Sequence, residues 1–132
     1  MITVLIGENV PDLAFGLGLL FTRAGYRTRT TITGDATLAS ARDDAPDLIV
    51  MNPRLPGIDG FDICRRLRAG PATARLPIIM LSVRHQPAEV TAAHAAGADD
   101  YIGKPYDNHD LLARAEKLLH RSTPTRETPD FP

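Results

Sequence analysis

The feature that most constrains this chain is a strict alternation of two hydrophobic periods. Five short runs have strand character: ITVLIG (2–7), YRTRTTI (26–32), DLIVM (47–51), PIIML (77–81) and DYIG (100–103). Each is followed by a stretch with helical spacing: PDLAFGLGLLFTRAG, opened by Pro11; GDATLASARDDA; DGFDICRRLRAG, stopped by Gly70; PAEVTAAHAAG, stopped by Gly97; and DNHDLLARAEKLLHR. Three of the runs are almost wholly apolar, as suits inner strands of a parallel sheet covered on both faces, whereas the polar alternation of YRTRTTI suits an edge. The pattern predicts a (βα)5 layered sheet within residues 1–121. The Pro-rich remainder, 122–132, has no periodicity and no apolar face, and reads as a flexible tail or the start of a linker.

A length of 132 residues with 43% apolar content fits one domain with its own core. The formal net charge of -1 gives no reason to expect a nucleic-acid or membrane surface, and four His with one Cys supply no metal cluster. Cys64 reads as a small buried hydrophobe. The longest apolar run, LAFGLGLLF at 13–21, is too short to span a bilayer, and Met1 leads into a strand without a basic segment or cleavage site, so a cytoplasmic protein is expected.

In an open parallel sheet the functional crevice lies beyond the carboxyl ends of the strands. Strand one ends in Gly7, Glu8 and Asn9; strand three in Asn52; strand four in Ser82; strand five in Lys104 and Pro105. An acid, two amides, a hydroxyl and an ammonium should therefore converge.

That set, with the loop NPRLPGIDG, the run PIIMLS and the segment GADDYIGKPY, resembles the receiver domain of bacterial two-component response regulators over about residues 2–120. The resemblance implies a flavodoxin-like three-layer sandwich with strand order 2-1-3-4-5. In that family two acidic residues after strand one help hold Mg2+, and an Asp at the end of strand three takes a phosphoryl group. A Ser or Thr after strand four and a Lys after strand five contact the phosphoryl oxygens. The match places Glu8 and Asn9 at the acidic pair, Asn52 at the phosphoacceptor, Ser82 at the hydroxyl and Lys104 at the lysine. Pro105 matches a proline whose preceding peptide bond is commonly cis, and Tyr101 matches the switch aromatic of strand five, whose ring moves inward on phosphorylation.

The departures are chemical. Asn9 stands where a metal-binding carboxylate belongs and Asn52 where the nucleophile belongs, and an amide offers no anionic oxygen for in-line attack on phosphorus. The family's three carboxylates and one Lys sum to about -2, which a divalent cation balances; here Glu8 and Lys104 sum to zero. Two unit charges about 4 Å apart interact by roughly 4 kcal/mol at an effective dielectric near 20, so each lost carboxylate removes metal attraction of that order. The expected pocket is metal-free, with Mg2+ binding weak or absent, closed by a Glu8–Lys104 pair, with Asn52 and Ser82 filling hydrogen bonds. Pro53 lacks the N–H through which Asn52 would deamidate.

Asp59 reads as a helix-opening acid before FDICRRL, and His85, His94, His109 and His120 as surface or helix-end residues. In the first helix, Leu13, Gly16, Leu17 and Leu20 are expected to pack on the sheet, leaving Phe15, Gly18, Leu19 and Thr22 as an apolar outer stripe for a partner. On the face of the fourth helix, fifth strand and fifth helix, Asp100, Asp110 and Arg114 match the charged network through which many receivers of DNA-binding regulators pair. Val90 stands where a basic residue would complete that network.

The expectation is a receiver-like domain without phosphoryl chemistry, not an enzyme, acting as a protein-interaction or dimerisation module in signalling or transcriptional regulation. Its partner would be a sensor kinase, an output domain or a second copy, with no direct nucleic-acid contact. Two alternatives stand beside it: a phosphoacceptor using Asp59 or another acid with Mg2+ on Glu8, and a small-molecule pocket at the strand ends.

Overall fold

The computed structural model describes residues 1–122; the tail expected at 122–132 lies, from residue 123 on, outside the described residues. Five strands, β1 (Thr3–Gly7), β2 (Arg27–Thr31), β3 (Leu48–Met51), β4 (Ile78–Ser82) and β5 (Asp100–Gly103), alternate with α1 (Pro11–Arg23), α2 (Gly34–Asp43), α3 (Gly60–Ala69), α4 (Pro87–Ala96) and α5 (Asn108–Ser122). All strand pairings are parallel, and the order is β2-β1-β3-β4-β5. This is the flavodoxin-like sheet that the resemblance implies.

Alternation along each strand sorts the core into two halves. Leu5, Ile49, Met51, Ile78, Met80 and Tyr101 point toward α2, α3 and α4, where they meet Leu38, Ile63, Cys64, Leu67 and Ala93. Val4, Ile6, Leu48, Val50, Ile79 and Leu81 point the other way, onto Leu17 and Phe21 of α1 and Leu111, Ala115 and Leu118 of α5. Strands β1, β3 and β4 are buried throughout while β2 is half exposed at the sheet edge, as their compositions require.

Local signals set the helix ends. The Thr33 hydroxyl accepts from the Ala36 N–H at 3.1 Å to open α2, and the Asp59 carboxylate accepts from the Asp62 N–H at 2.9 Å to open α3. Pro11 and Pro87 occupy first-turn positions, and Gly97 closes α4 with φ 116°. At Gly34 the constraint is space: a methyl replacing its hydrogen would lie 1.6 Å from the Ile58 carbonyl oxygen, so α2 can start against the β3–α3 loop only with glycine there.

One expectation is corrected. The inner face of α1 is Ala14, Leu17 and Phe21; Leu13 is 39% exposed and Gly16 is also exposed. A helix apolar on nearly every side offers no single stripe to read, and the registration is decided by Phe21, which is fully buried with its ring centroid 6.0 Å from that of Tyr26. The outer stripe largely stands, with Phe15 72% and Leu19 38% exposed.

Candidate functional site

Parallel register brings the ends of β1, β3, β4 and β5 to one edge of the sheet, and with them Glu8, Asn52, Ser82 and Lys104. Backbone bonds continue the ladder past the strands: the Asn52 N–H donates to the Gly7 carbonyl at 2.9 Å and the Lys104 N–H to the Ser82 carbonyl at 2.8 Å. The Lys104–Pro105 peptide bond is cis, as the resemblance implies.

Glu8 is the centre. Its carboxylate is buried, with 1% of the side chain exposed, and the Lys104 ammonium, 10% exposed, donates to Oε1 at 2.9 Å. Its other oxygen, Oε2, accepts from the Val10 N–H at 3.2 Å and, in a longer contact of 3.4 Å, from the Asn52 amide nitrogen. The Asn52 carbonyl oxygen is used as well, accepting from the Arg54 N–H at 2.9 Å. Both ends of the amide are thus committed, one to the carboxylate and one to the loop that follows it.

Two sequence-based assignments are adjusted. The Ser82 hydroxyl is buried but does not join this set; it accepts from the Arg84 N–H at 3.0 Å and shapes the β4–α4 loop. Asn9 is exposed.

Three features of the rim went unread in the sequence. The Arg54 guanidinium reaches Glu89 at the start of α4 at 2.6 Å and lies 5.8 Å above the Phe61 ring, so it bridges the β3–α3 loop to α4. Among the described residues, Glu89 Oε1 is buried with no hydrogen-bond partner. Tyr106 packs beside the pocket, and burial together with the Glu8 charge pushes its phenol above the ordinary value. Nothing local could have signalled the Arg54–Glu89 bridge, which joins residues 35 positions apart.

The Tyr101 ring is buried in the core, and its hydroxyl donates to the Arg84 carbonyl. Asp59 is committed to the α3 cap. His94 Nδ1 lies 3.1 Å from the Ala98 carbonyl oxygen at the end of α4. Among the described residues, no three His, Cys, Asp or Glu side chains gather as a metal site, and no helix is long and apolar enough to cross a membrane.

The two candidate surfaces differ. On the α4–β5–α5 face Arg114 is held within the chain, donating to Asp100 at 2.9 Å and Asp110 at 3.1 Å; these bonds raise its pKa above the ordinary value. Val90 is turned against the core. On α1, Phe15, Gly18, Leu19 and Thr22 line a shallow groove with Ala14 and Thr30. The helix also carries Gly16 and Gly18, each weakening it by about 1 kcal/mol relative to Ala. Among the described residues, a Cβ at either would meet nothing within 4 Å beyond the helix's own nearby backbone, so their packing does not call for glycine there.

Comparison with known proteins completes the description. The profile of the response regulator receiver domain matches residues 4–116. The chain is 41% identical over 100 residues to the phosphate regulon transcriptional regulatory protein PhoB of Rhizobium meliloti, covering 76% of this chain and 44% of that protein. It is 40% identical over 130 residues to the transcriptional regulatory protein AfsQ1 of Streptomyces coelicolor, covering 98% of this chain and 56% of that one. The chain therefore spans about half the length of the curated relatives it matches. Among solved structures, the signal receiver domain of a signal transduction histidine kinase from Syntrophus aciditrophicus superposes with a TM-score of 0.87 at 28% identity over 98% of both chains.

Proposed function

This chain belongs to the response regulator receiver domain family, and we propose that it is a member that works without phosphoryl transfer, as a protein-interaction module in signal transduction. The observation that carries the proposal is the Lys104–Glu8 pair at 2.9 Å with Asn52 beside it. Phosphoryl transfer needs an anionic oxygen placed in line with phosphorus. The corresponding position holds an amide whose two ends are already bonded.

The residues present do not fit magnesium either. That ion asks for about six oxygen ligands in a tight octahedron, including one or two carboxylates. Here one carboxylate is buried, one of its oxygens is held by an ammonium, and the neighbouring Asn9 is a neutral exposed amide. A cation would have to displace Lys104 and then share a site with its charge. Asp59 is poorly suited to stand in as acceptor, because its carboxylate caps α3.

With the pocket neutral and filled, the chain has no turnover of its own, and its output passes through contacts with a kinase, an output domain or a second copy. PhoB and AfsQ1 are transcriptional regulators, which favours a role in transcriptional control. The net charge of -1 gives this domain no reason to touch nucleic acid directly.

The test is incubation with acetyl phosphate and Mg2+, followed by intact-mass measurement. The expected spectrum shows the unmodified chain alone. A hydroxylamine-labile phosphate adduct overturns the reading.

A further inference from the structure

We infer that two copies of this chain associate through α1, antiparallel about a twofold axis that passes the helix between Leu17 and Gly18. The inference rests on the reading of the chain as an interaction module, but not on the silence of its pocket.

The side of α1 opposite the buried Ala14, Leu17 and Phe21 presents one line of exposed residues: Asp12, Phe15, Gly16, Leu19 and Arg23. Their spacing is that of a single helix face. The line is apolar in the middle and charged at its ends, acidic at the N-terminus and basic at the C-terminus. Neither Asp12 nor Arg23 has an ion-pair partner among the described residues, whereas Asp62 of α3 and Arg114 of α5 are both paired.

The line is complementary to itself. Asp12 and Arg23 lie at equal distances from the point between Leu17 and Gly18, as do Gly16 and Leu19. Reversing a second copy about that point sets Asp12 of each chain against Arg23 of the other, at both ends. It also sets each Leu19 against the other chain's Gly16. Among the described residues that glycine faces open space, where an added Cβ meets nothing within 4 Å outside the helix's nearby backbone. The proposed contact therefore supplies a reason for a glycine that the monomer does not. Phe15, 72% exposed, closes the side of the contact over the groove that reaches Thr30.

The other route to self-pairing, the free edge of β2, is disfavoured by its sequence. Arg27 and Arg29 stand on that strand, and antiparallel edge pairing brings like charges together.

Sedimentation equilibrium of the full chain, at concentrations from roughly 1 µM to 1 mM to bracket a micromolar dimer, tests the inference. The expected result is a reversible dimer. Asp12→Arg and Arg23→Asp, each folded by circular dichroism, should each weaken it about tenfold or more, because each substitution turns both end contacts repulsive. An equimolar mixture of the two variants should associate again, since each then meets its opposite. Gly16→Gln should raise the melting temperature of the monomer while weakening the dimer, a pairing of effects that misfolding cannot produce.

A wild-type chain that stays monomeric throughout overturns the inference, as does a dimer indifferent to these substitutions. A monomer that dimerises only after removal of residues 123–132 also overturns it, and assigns the stripe to the tail. A chain that accepts phosphate yet dimerises this way overturns the silent pocket and leaves the α1 contact standing; a silent chain without self-association does the reverse.

Discussion

Lys104 Nζ lies 2.9 Å from Glu8 Oε1, joining residues 96 positions apart across the ends of strands that do not pair with each other. The lysine at the end of β5 reaches over β3 and β4 to the carboxylate after β1. The two opposite charges are thereby paired within the buried end of the sheet.

The pair's burial makes its two halves unequal to remove. Lys104→Met leaves the Glu8 carboxylate buried without its counter-charge, and a loss of about 3–5 kcal/mol of stability is expected. Glu8→Gln should cost less, because Lys104 is near enough to the surface to turn outward. The double variant Glu8→Gln/Lys104→Met should be more stable than Lys104→Met alone, which urea denaturation of the four proteins would show. Strict additivity would mean that the two side chains do not depend on each other.

Restoring the acids should act in order. Asn52→Asp puts a second carboxylate beside Glu8, but Asn9 still supplies no charge, so Mg2+ affinity by titration calorimetry should rise only weakly. Asn9→Asp added to it should strengthen binding further, by attraction on the order of 4 kcal/mol before screening. Equal affinities in the single and double variants would contradict this account of the pocket.

Burial pushes the Cys64 thiol up to about 12 from its ordinary 9.0, which opposes the lowering by Arg68 and Arg65 nearby. The unfolded chain therefore loses this proton earlier than the folded one. Stability is fully present below the ordinary thiol value and declines as pH rises from 9.0 toward about 12. Tyr26 and Tyr106, also raised above the ordinary phenol value, add to the decline in the same sense. Denaturation measured from neutral to alkaline pH should show a fall that is shallower, though not absent, in Cys64→Ala. In the native chain the thiol should resist alkylation until denaturant is added.

Much of this was legible because it is periodic or adjacent. The apolar runs DLIVM and PIIML suit inner strands, and Asp59 before a helical stretch suits its cap; the strands Leu48–Met51 and Ile78–Ser82 and the Asp59 cap are found so. The Glu8–Lys104 pair was legible for a different reason: topology gathers strand ends, and the remaining charges there sum to zero. What escaped depends on contacts that no local pattern encodes. Gly34 looks like any helix-opening residue until the Ile58 carbonyl is seen against it. The face of α1 could not be oriented while leucines surrounded the helix, and Ser82 was read into the pocket although its oxygen turns to the Arg84 N–H.

Tyr101 carries the last prediction. Its ring is buried among the residues facing α3 and α4, and its hydroxyl is tied to the Arg84 carbonyl, in the same loop whose Arg84 N–H is held by Ser82. The ring thus lies inward and is bonded at its polar end. Tyr101→Phe should keep the ring buried and lose about 0.5–1.5 kcal/mol, the net value of one hydrogen bond. Amide exchange at Val83, Arg84 and His85 should quicken as that anchor of the loop is removed. In the unaltered chain, the Tyr101 ring resonances should form one set that does not move when Mg2+ and acetyl phosphate are added. A second set, or a shift on adding the phosphodonor, would show that the ring still answers the pocket.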